Sequence, residues 1–559
     1  MDSVLRNAVV IDGSGNDRRH ADLRISGGRI AEVAPTGTIN TTGTDQVDLD
    51  GLVLTPGFID IHTHYDAQIT WDPNLTPSSW HGVTTAVLGN CGFGVAPTTT
   101  EHRETIARTL ENVEGMSYEA LAAGLRWGFE TFPEYLSFLE ELPKTVNVAA
   151  FIGHTPIRIF VLGEDASDRA ATSEEIARMR ALVAEGIAAG AVGFSTSRSP
   201  GHVGDAGKPV PSRLASLEEV FSLAGGMRDV GRGIFEIVCG PDLPEQQLPE
   251  VAAMLGRPIT YTALLSGRGS ITDLAQGERP GAALEFLDRV ITPQSNVVPQ
   301  IACRPIVMQV TLEDPVLFFN KASFKAVLEV PRAERANIYA KPEWRDVARK
   351  EVDDEWGQRW HRVSVAETGR HNELVGIPLD VLSTQRGVHP FDLMVDLSLA
   401  DGLATRFLMQ SSNTDEDEVG KLLQDPRPVL GVSDGGAHGS QQCDACFSTY
   451  LLQHWVRELE VLTLEQAVWR LTGHPAKVYG FRDRGLVAPG YAADLVAFDP
   501  DVVGTGPMSR VRDLPAGADR LIMRGEGIQC IWVNGVATRR DGIDQQSEQI
   551  APGRVLRST

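Results

Sequence analysis

The sequence predicts an α/β protein, with a (β/α)8 barrel of the TIM type and a small β-domain built by both chain termini. Three observations lead to this class. Both ends of the chain alternate apolar and polar residues around glycine-rich turns, which is typical of antiparallel strands. The middle of the chain alternates short, continuous apolar runs with helical patterns, as buried parallel strands and their helices do. Eight such runs occur, and eight parallel strands close a barrel of this type.

The β-domain is predicted from two separate segments. Residues 3–35 contain VLRNAVVIDGSG and then DLRISGGRIAEVAP, and the last part of the chain resumes the pattern with DLVAFD and IQCIWVNGVATRRDG. Because strands at the two ends bracket a long middle, we assign 1–55 and 482–559 to one β-domain. Residues 56–481 then form the barrel domain, inserted between these segments, and the main insertion within the barrel lies near 310–400.

The eight apolar runs of the middle segment are the candidate barrel strands. Helical patterns separate several of them, such as 172–189, where a Thr/Ser pair followed by Glu is a helix-capping signal. Active sites of such barrels are built where the strands end, so the residues that end each run are the first candidates for function. The runs are 56–62, 83–90, 146–153, 191–196, 233–238, 258–263, 297–303 and 428–434.

The composition excludes several classes of protein. The 559 residues include 51 Lys and Arg against 74 Asp and Glu, a formal net charge of −23, without the basic run that would indicate a nucleic-acid-binding face. The sequence also lacks a membrane-length apolar stretch, a signal-peptide pattern and a disulfide framework among its six scattered cysteines. We expect a cytoplasmic protein that binds a small-molecule substrate but neither nucleic acid nor membrane. The sequence leaves open whether it forms a homo-oligomer.

Two histidines end the first predicted barrel strand. In His62-Thr63-His64, side chains two residues apart along a strand point to the same side, so both imidazoles are expected to face the barrel mouth. Two neutral imidazoles on one face are suitable ligands for a zinc-type metal. The pattern therefore predicts that His62 and His64 bind a metal ion.

Two further strand ends carry candidate ligands. Cys91, in Gly-Asn-Cys-Gly after the second strand, is either a thiolate ligand or a small buried side chain. Asp434, in Ser-Asp-Gly-Gly-Ala-His after the last strand, can bind the metal and accept a proton from water, with a turn-forming Asp as the alternative. The first and last strands become neighbours when the barrel closes, which brings Asp434 towards the two histidines.

These motifs together resemble a known family. The chain contains PGFIDIHTHYD, HGVTTAVLGNCG, NVAAFIGHTPIR, GAVGFSTS, SDGGAH and GLVAPGYAADLVAFDP, and these segments are similar to the amidohydrolase superfamily. The branch that they resemble most is the N-acyl-D-amino-acid deacylases, or D-aminoacylases, from about Val4 to Gly542. The resemblance implies a metal-dependent amidase in a distorted (β/α)8 barrel, with a β-sandwich from the two termini.

The resemblance also implies roles for residues. In the family, the HxH pair binds one metal, the GNCG cysteine binds a tighter zinc, and the SD aspartate is ligand and general base; these roles fall on His62, His64, Cys91 and Asp434. The family's tight site also uses one histidine from each of two later strands, but the corresponding segments here, GIFEIV and PITYTAL, contain none. We therefore expect one zinc ion per chain, with Cys91 or His154 as a further ligand or neighbour.

Other residues near strand ends are weaker candidates for catalysis or substrate binding. His154 ends the third strand and either faces the mouth, where it would polarise a carbonyl or bind metal, or is a core histidine. Tyr65 is placed to steady an oxyanion, His438 of SDGGAH to bind substrate, and Glu236 to substitute for a missing ligand. Three arginines follow strand ends and would bind a substrate carboxylate, with a structural salt bridge as the alternative for each: Arg158, Arg268 and Arg304.

The predicted activity is hydrolysis of a C–N amide bond by a metal-activated water, most simply in an N-acyl amino acid or a related amide. The family's carboxylate-anchoring lysine is absent near Tyr261–Gly267, which keeps a cyclic amide or imide, or an aryl or secondary-metabolite amide, as the alternative. A catalytically inactive barrel used for binding or assembly is the alternative from another class. The presence of both HTH and SDGGAH argues against it, because an inactive scaffold needs neither.

Overall fold

The computed structural model describes residues 2–270, 278–292, 294–315, 318, 321–357, 359–545 and 550–558. The chain divides into two compact units, Met1–Arg304 with Asp415–Thr559, and Pro305–Thr414. The second unit contains the segment 310–400 that the sequence marks as an insertion. Within the described ranges, no helix is both long and apolar enough to span a membrane.

The first unit contains eight parallel strands, named barrel strands 1 to 8 in chain order, and the predicted fold class is confirmed. They pair side by side in that order, and each overlaps one of the predicted runs. Just beyond strands 1 and 8, a parallel bridge joins Thr63 to Gly435, and the His64 N–H donates to the Gly435 carbonyl at 2.7 Å. The strands are Phe58–Asp60, Val83–Leu88, Asn147–Gly153, Gly193–Ser197, Ile234–Val238, Ile259–Thr262, Val297–Ile301 and Val429–Leu430.

Helices connect the barrel strands. The helix Ser173–Ala189 begins at the predicted capping signal, where Thr172 Oγ1 accepts from the Glu175 N–H and the Glu175 carboxylate accepts from the Thr172 N–H. The first unit also has a π-helix, Leu451–Glu458. Its other α-helices are Arg103–Glu114, Tyr118–Gly124, Phe132–Glu141, His154–Leu162, Leu217–Val230, Leu248–Leu255, Ala282–Val290, Glu416–Gln424, Phe447–Tyr450, Leu464–Leu471 and Gly473–Tyr479.

Both ends of the chain build one nine-stranded β-sheet. Val53–Pro56 pairs in parallel with Ser3–Val10 and antiparallel with Leu495–Phe498, so the N-terminal and C-terminal segments meet at this strand. The predicted domain boundaries, 1–55 with 482–559, stay predictions. The remaining strands of the sheet are Arg19–Ser26, Arg29–Ala34, Asp45–Asp48, Ile528–Val533, Val536–Arg540 and Ile543–Asp544. Two short ribbons pair Gly504–Thr505 with Gly525–Glu526, and Ser509–Val511 with Arg520–Ile522.

The second unit has its own sheet and core. Arg406–Ser412 is the central strand of an antiparallel sheet, flanked by Ile306–Val310 and Val363–Glu367. An aromatic cluster that includes Phe324 and Tyr339 fills its core. Its helices are Ala322–Leu328, Arg332–Tyr339, Pro342–Trp356, Leu379–Arg386 and Pro390–Ala400.

Candidate metal centre

Four predicted ligands converge beyond the ends of barrel strands 1, 2 and 8. His62 and His64 follow strand 1, and their ring centroids are 5.4 Å apart. Cys91 lies in the 3₁₀ turn Asn90–Gly92 after strand 2, and Asp434 follows strand 8. Cys91 and Asp434 both have left-handed backbone angles, with φ of 58° and 47°, which turn the chain sharply at these two strand ends.

The distances between these side chains suit a single metal ion. His62 Nε2 lies 3.4 Å from Cys91 Sγ and 3.3 Å from Asp434 Oδ1, and His64 Nε2 lies 4.0 Å from the same Asp434 oxygen. The ligand atoms of His62, His64 and Cys91 all lie within 4.8 Å of one another. Two imidazoles, a thiol and a carboxylate are the ligand types that zinc prefers, so the residues present fit the ion that the sequence predicts.

Contacts on the side of the His62 ring that faces away from the cluster fix its orientation. His62 Nδ1 lies 2.8 Å from Gln300 Oε1 on barrel strand 7 and 3.1 Å from Thr262 Oγ1 on barrel strand 6. The amide oxygen of Gln300 only accepts, so Nδ1 carries the proton and the lone pair of Nε2 points towards Cys91 and Asp434. This is the arrangement by which outer partners orient a metal-binding histidine.

Glu114 orients the His64 ring in the way that Gln300 orients His62, by contacting its outer nitrogen. It is the last residue of the helix Arg103–Glu114, it is 3% exposed, and its Oε1 lies 3.4 Å from His64 Nδ1. A carboxylate on the outer nitrogen of a ligand histidine holds the ring and makes the ligand nitrogen more basic. Glu114 cannot be recognised from the sequence alone, because its place at a helix end 50 residues from His64 carries no local signal.

The electrostatics of the cluster favour neutral histidines and an ionised aspartate. Burial lowers the pKa of His62, and it lowers the pKa of His64 to about 3. Burial opposes ionisation of Asp434, but the nearby His62, His64 and His438 hold its pKa below the usual value. Neutral imidazoles and a carboxylate are the protonation states that metal ligation requires.

A polar network behind the cluster supports the ends of strands 1 and 8. Ser433 Oγ lies 2.7 Å from Asp60 Oδ2 and 2.8 Å from the His62 carbonyl, and the His62 N–H donates to Asp60 Oδ1 at 3.3 Å. The Tyr65 hydroxyl bonds Ser78 Oγ at 2.8 Å, and Ser78 in turn lies 3.4 Å from Asp60. The structure thus places Tyr65 in this support network, where its fully buried hydroxyl holds the backbone that carries Asp434 and His62.

Glu236 lies on barrel strand 5, one of the two segments in which the resemblance leads us to expect a histidine and the sequence has none. It is fully buried on barrel strand 5, its Oε2 accepts from the Cys91 N–H at 2.9 Å, and its Oε1 accepts from Thr262 Oγ1 at 3.2 Å. Burial raises the pKa of Glu236 to about 8. Of these two contacts, the one with the Cys91 N–H holds the left-handed turn of Cys91.

The structure does not bring His154 to the cluster. It begins the helix His154–Leu162 and is fully buried, with Nδ1 2.8 Å from Thr196 Oγ1 and Nε2 3.0 Å from Glu219 Oε1. Arg158 from the same helix also binds Glu219, at 2.5 Å. Both ring nitrogens of His154 are therefore engaged in a buried ion network that links the helix to the helix Leu217–Val230.

The other candidate substrate-binding residues are paired within the chain. Arg268 lies 3.6 Å from Glu278, and Arg304 lies 3.2 Å from Asp444 with its guanidinium 5.0 Å from the Tyr450 ring. His438 lies close to Asp434, since each of these two groups shifts the pKa of the other. Of the four proposed substrate-binding residues, His438 is the one that the structure places beside the cluster.

Comparison with known proteins agrees with this barrel fold. The chain belongs to the amidohydrolase family, whose pattern it matches over residues 45–254 and 362–538. It is 29% identical to an N-acyl-D-aspartate deacylase of Alcaligenes xylosoxydans xylosoxydans, over 99% of this chain and 95% of that protein. It is 30% identical to a D-aminoacylase of the same organism, over 96% and 93%.

A solved structure extends the comparison. The N-acyl-D-glutamate deacylase from Bordetella bronchiseptica, in complex with zinc and a phosphonate mimic of the tetrahedral intermediate, matches with a TM-score of 0.64 and 25% identity over 100% of both chains. The family, these relatives and the cluster of ligands define the protein as a metal-dependent amidohydrolase. It is an enzyme that acts on carbon–nitrogen bonds other than peptide bonds.

Proposed function

We propose that the enzyme removes the acyl group from N-acyl amino acids, using one zinc ion per chain. The observation that carries this proposal is the convergence of His62, His64, Cys91 and Asp434 in one small cluster, in which the first three residues are buried. The names of the relatives support the substrate class, since they are deacylases of N-acyl-D-aspartate and N-acyl-D-glutamate and a D-aminoacylase.

The metal would be held by His62, His64 and Cys91, with Asp434 beside it. When bound, zinc supplies a Lewis acid that makes water more acidic and an amide carbonyl more electrophilic. One ion is favoured over two because the barrel strands 5 and 6 contribute Glu236 and Thr262 to this region instead of histidines.

Asp434 moves the protons of the reaction in this proposal. Its Oδ1 faces His62, and its Oδ2 accepts from Gln442 Nε2 at 3.3 Å, so the carboxylate is fixed in the mouth of the barrel. Asp434 takes a proton from the attacking water, whose oxygen forms a bond to the carbonyl carbon. The C–N bond then breaks, Asp434 passes the proton to the leaving nitrogen, and the products are a carboxylic acid and a free amine.

Hydrolysis of a cyclic, aryl or secondary-metabolite amide is the second candidate. It is favoured by the pairing of the three predicted arginines with acidic residues of the chain itself, which assigns none of them to a substrate carboxylate. The pairs are Arg158 with Glu219, Arg268 with Glu278 and Arg304 with Asp444.

A hydrolysis screen tests the proposed function. Zinc-loaded enzyme is incubated with N-acetyl-D-amino acids, N-acetyl-L-amino acids, cyclic imides and aryl amides, and free amine is detected by mass spectrometry. The proposal predicts turnover of N-acyl amino acids and a loss of about 10²–10⁴-fold in Asp434→Asn, with the exposed Asp501→Asn as control. Turnover confined to cyclic or aryl amides selects the second candidate, and a chain that binds no zinc supports the inactive scaffold.

A further inference from the structure

His202 lies in a loop that the sequence analysis left without a role. The loop follows barrel strand 4, Gly193–Ser197, and leads to the 3₁₀ turn Asp205–Gly207. His202 is half-buried, and its ring centroid lies 5.2 Å from that of Phe93, which follows the Cys91 turn. The same turn packs directly on the end of strand 4, because a side chain on Gly92 would lie 2.7 Å from the Thr196 Cα.

Hydrogen bonds of its ring and its backbone, together with one packing contact, hold His202 in place. Its Nδ1 lies 2.7 Å from Ser197 Oγ, at the end of strand 4. Its carbonyl oxygen accepts from Arg213 Nη1 at 3.1 Å, which fixes the backbone of the loop. With Phe93 against the ring, the imidazole is restrained on three sides.

The hydrogen bonds of Ser197 determine which ring nitrogen of His202 carries the proton. Ser197 Oγ already accepts from the Ser199 N–H at 3.1 Å, and its hydroxyl has His202 Nδ1 as its acceptor. We assign the hydroxyl as the donor to Nδ1, its acceptor among the described residues, and this assignment places the proton of the neutral ring on Nε2. Among the residues that the structure describes, Nε2 of His202 has no hydrogen-bond partner of its own.

His202 belongs to the surroundings of Asp434. Burial lowers its pKa to about 4, and His438, Asp434 and His62 all lie close enough for their charges to contribute to the shift. The ring is therefore neutral at pH 7, and its contact with Phe93 places it next to the turn that carries Cys91.

We propose that His202 is a catalytic residue whose Nε2–H donates a hydrogen bond to the carbonyl oxygen of the scissile amide. The bond would strengthen as negative charge develops on that oxygen during attack by water, so it would stabilise the transition state more than the substrate. This inference rests on the proposed amide hydrolysis and assigns to His202 the role that the sequence offered to His154 and Tyr65. Their polar ring atoms are already engaged in buried networks.

Steady-state kinetics of four variants test the assignment. The variants are His202→Ala, His202→Gln, Ser197→Ala and, as a matched control, His20→Ala, whose imidazole is exposed on the β-domain. With the best substrate of the N-acetyl amino acid series, His202→Ala should lower kcat by about 10²–10³-fold and change KM by less than about threefold. His202→Gln retains an N–H donor and should recover at least about tenfold of that loss. Ser197→Ala removes the partner of His202 Nδ1, so that either tautomer can form, and its kcat should lie between those of wild type and His202→Ala.

Two measurements that need no turnover accompany the kinetics. Zinc content should stay at the wild-type value in every variant, and the affinity for a phosphonate analogue of the same substrate should fall at least about tenfold in His202→Ala. The assignment is overturned if His202→Ala keeps kcat within threefold of wild type, if it loses its zinc, or if it binds the phosphonate as wild type does. A wild-type enzyme that hydrolyses no amide overturns the proposed function instead, and phosphonate affinity alone then decides the role of His202.

Discussion

Replacing Glu114 by Gln should weaken zinc binding while leaving the fold intact. The Glu114 carboxylate lies 3.4 Å from His64 Nδ1 and is almost fully buried, so the substitution keeps the size and an acceptor oxygen but removes the charge. Loss of such an outer partner costs about 10–100-fold in metal affinity. This range corresponds to about 1.4–2.7 kcal/mol of binding free energy. Burial, together with Asp434 and Asp66, raises the pKa of Glu114 well above its usual range, so ionisation of this carboxyl is costly in the metal-free protein.

Competition with a fluorescent zinc chelator measures the affinity, and urea unfolding of the metal-free protein measures the stability. The matched control is Glu111→Gln on the same helix, because Glu111 pairs only with Arg108 at the surface, at 3.0 Å. We expect the control to bind zinc as wild type does, and Glu114→Gln to change the free energy of unfolding by less than about 1 kcal/mol. Wild-type zinc affinity in Glu114→Gln would refute the role given to this carboxylate.

Three further predictions follow from the same geometry. Glu219→Gln should lower the free energy of unfolding by about 3–5 kcal/mol in urea titrations, because it leaves Arg158 buried without its carboxylate; unchanged stability would contradict the buried ion network. Gln300→Leu should lower zinc affinity about tenfold, because it removes the acceptor that fixes the His62 tautomer. If the variant competes with the chelator for zinc as well as wild type does, Gln300 does not orient His62. Cys91→Ser should weaken zinc binding at least tenfold, whereas Cys239→Ser, at another buried cysteine, should not; equal affinities would remove Cys91 from the ligand set.

The barrel could be predicted because its strands are buried on both faces. Val83–Leu88 and Asn147–Gly153 are buried at every residue. A strand buried on both faces has a continuous apolar sequence, and this pattern can be recognised. Strand ends were predicted less exactly, since strand 8 is only Val429–Leu430 where the apolar run extends to 434. The chain leaves regular pairing there in order to turn through Asp434 with a positive φ.

The centre of the site was predictable, and its surroundings were not. His62 and His64 are two residues apart just beyond barrel strand 1, so the spacing that predicts two imidazoles on the same side is local to the sequence. Glu114 and Gln300 reach these histidines from a distant helix and strand, and only the folded chain brings them together. His202 gave no signal in the sequence, because its contact with the site depends on a loop and on the hydrogen bonds of one serine.

The same limit applies to the candidate arginines. Each follows a strand end, where a carboxylate-binding residue is expected, but each pairs with an acidic residue of the chain, and two of these partners are far along the sequence. Arg158 and Glu219 are 61 residues apart, and Arg304 and Asp444 lie in different segments of the first unit. Long-range ion pairing cannot be predicted from one sequence, because the acidic partner is one of 74.

The metal content of the protein purified without added metal tests the central claim most directly. Elemental analysis should find one zinc ion per chain in the wild type and less than about a tenth of that in the His62→Ala, His64→Ala double variant, while the exposed His20→Ala control keeps one. Two ions per chain would contradict the single-metal site built from His62, His64, Cys91 and Asp434. No bound metal in the wild type, even after zinc is supplied, would contradict the site itself.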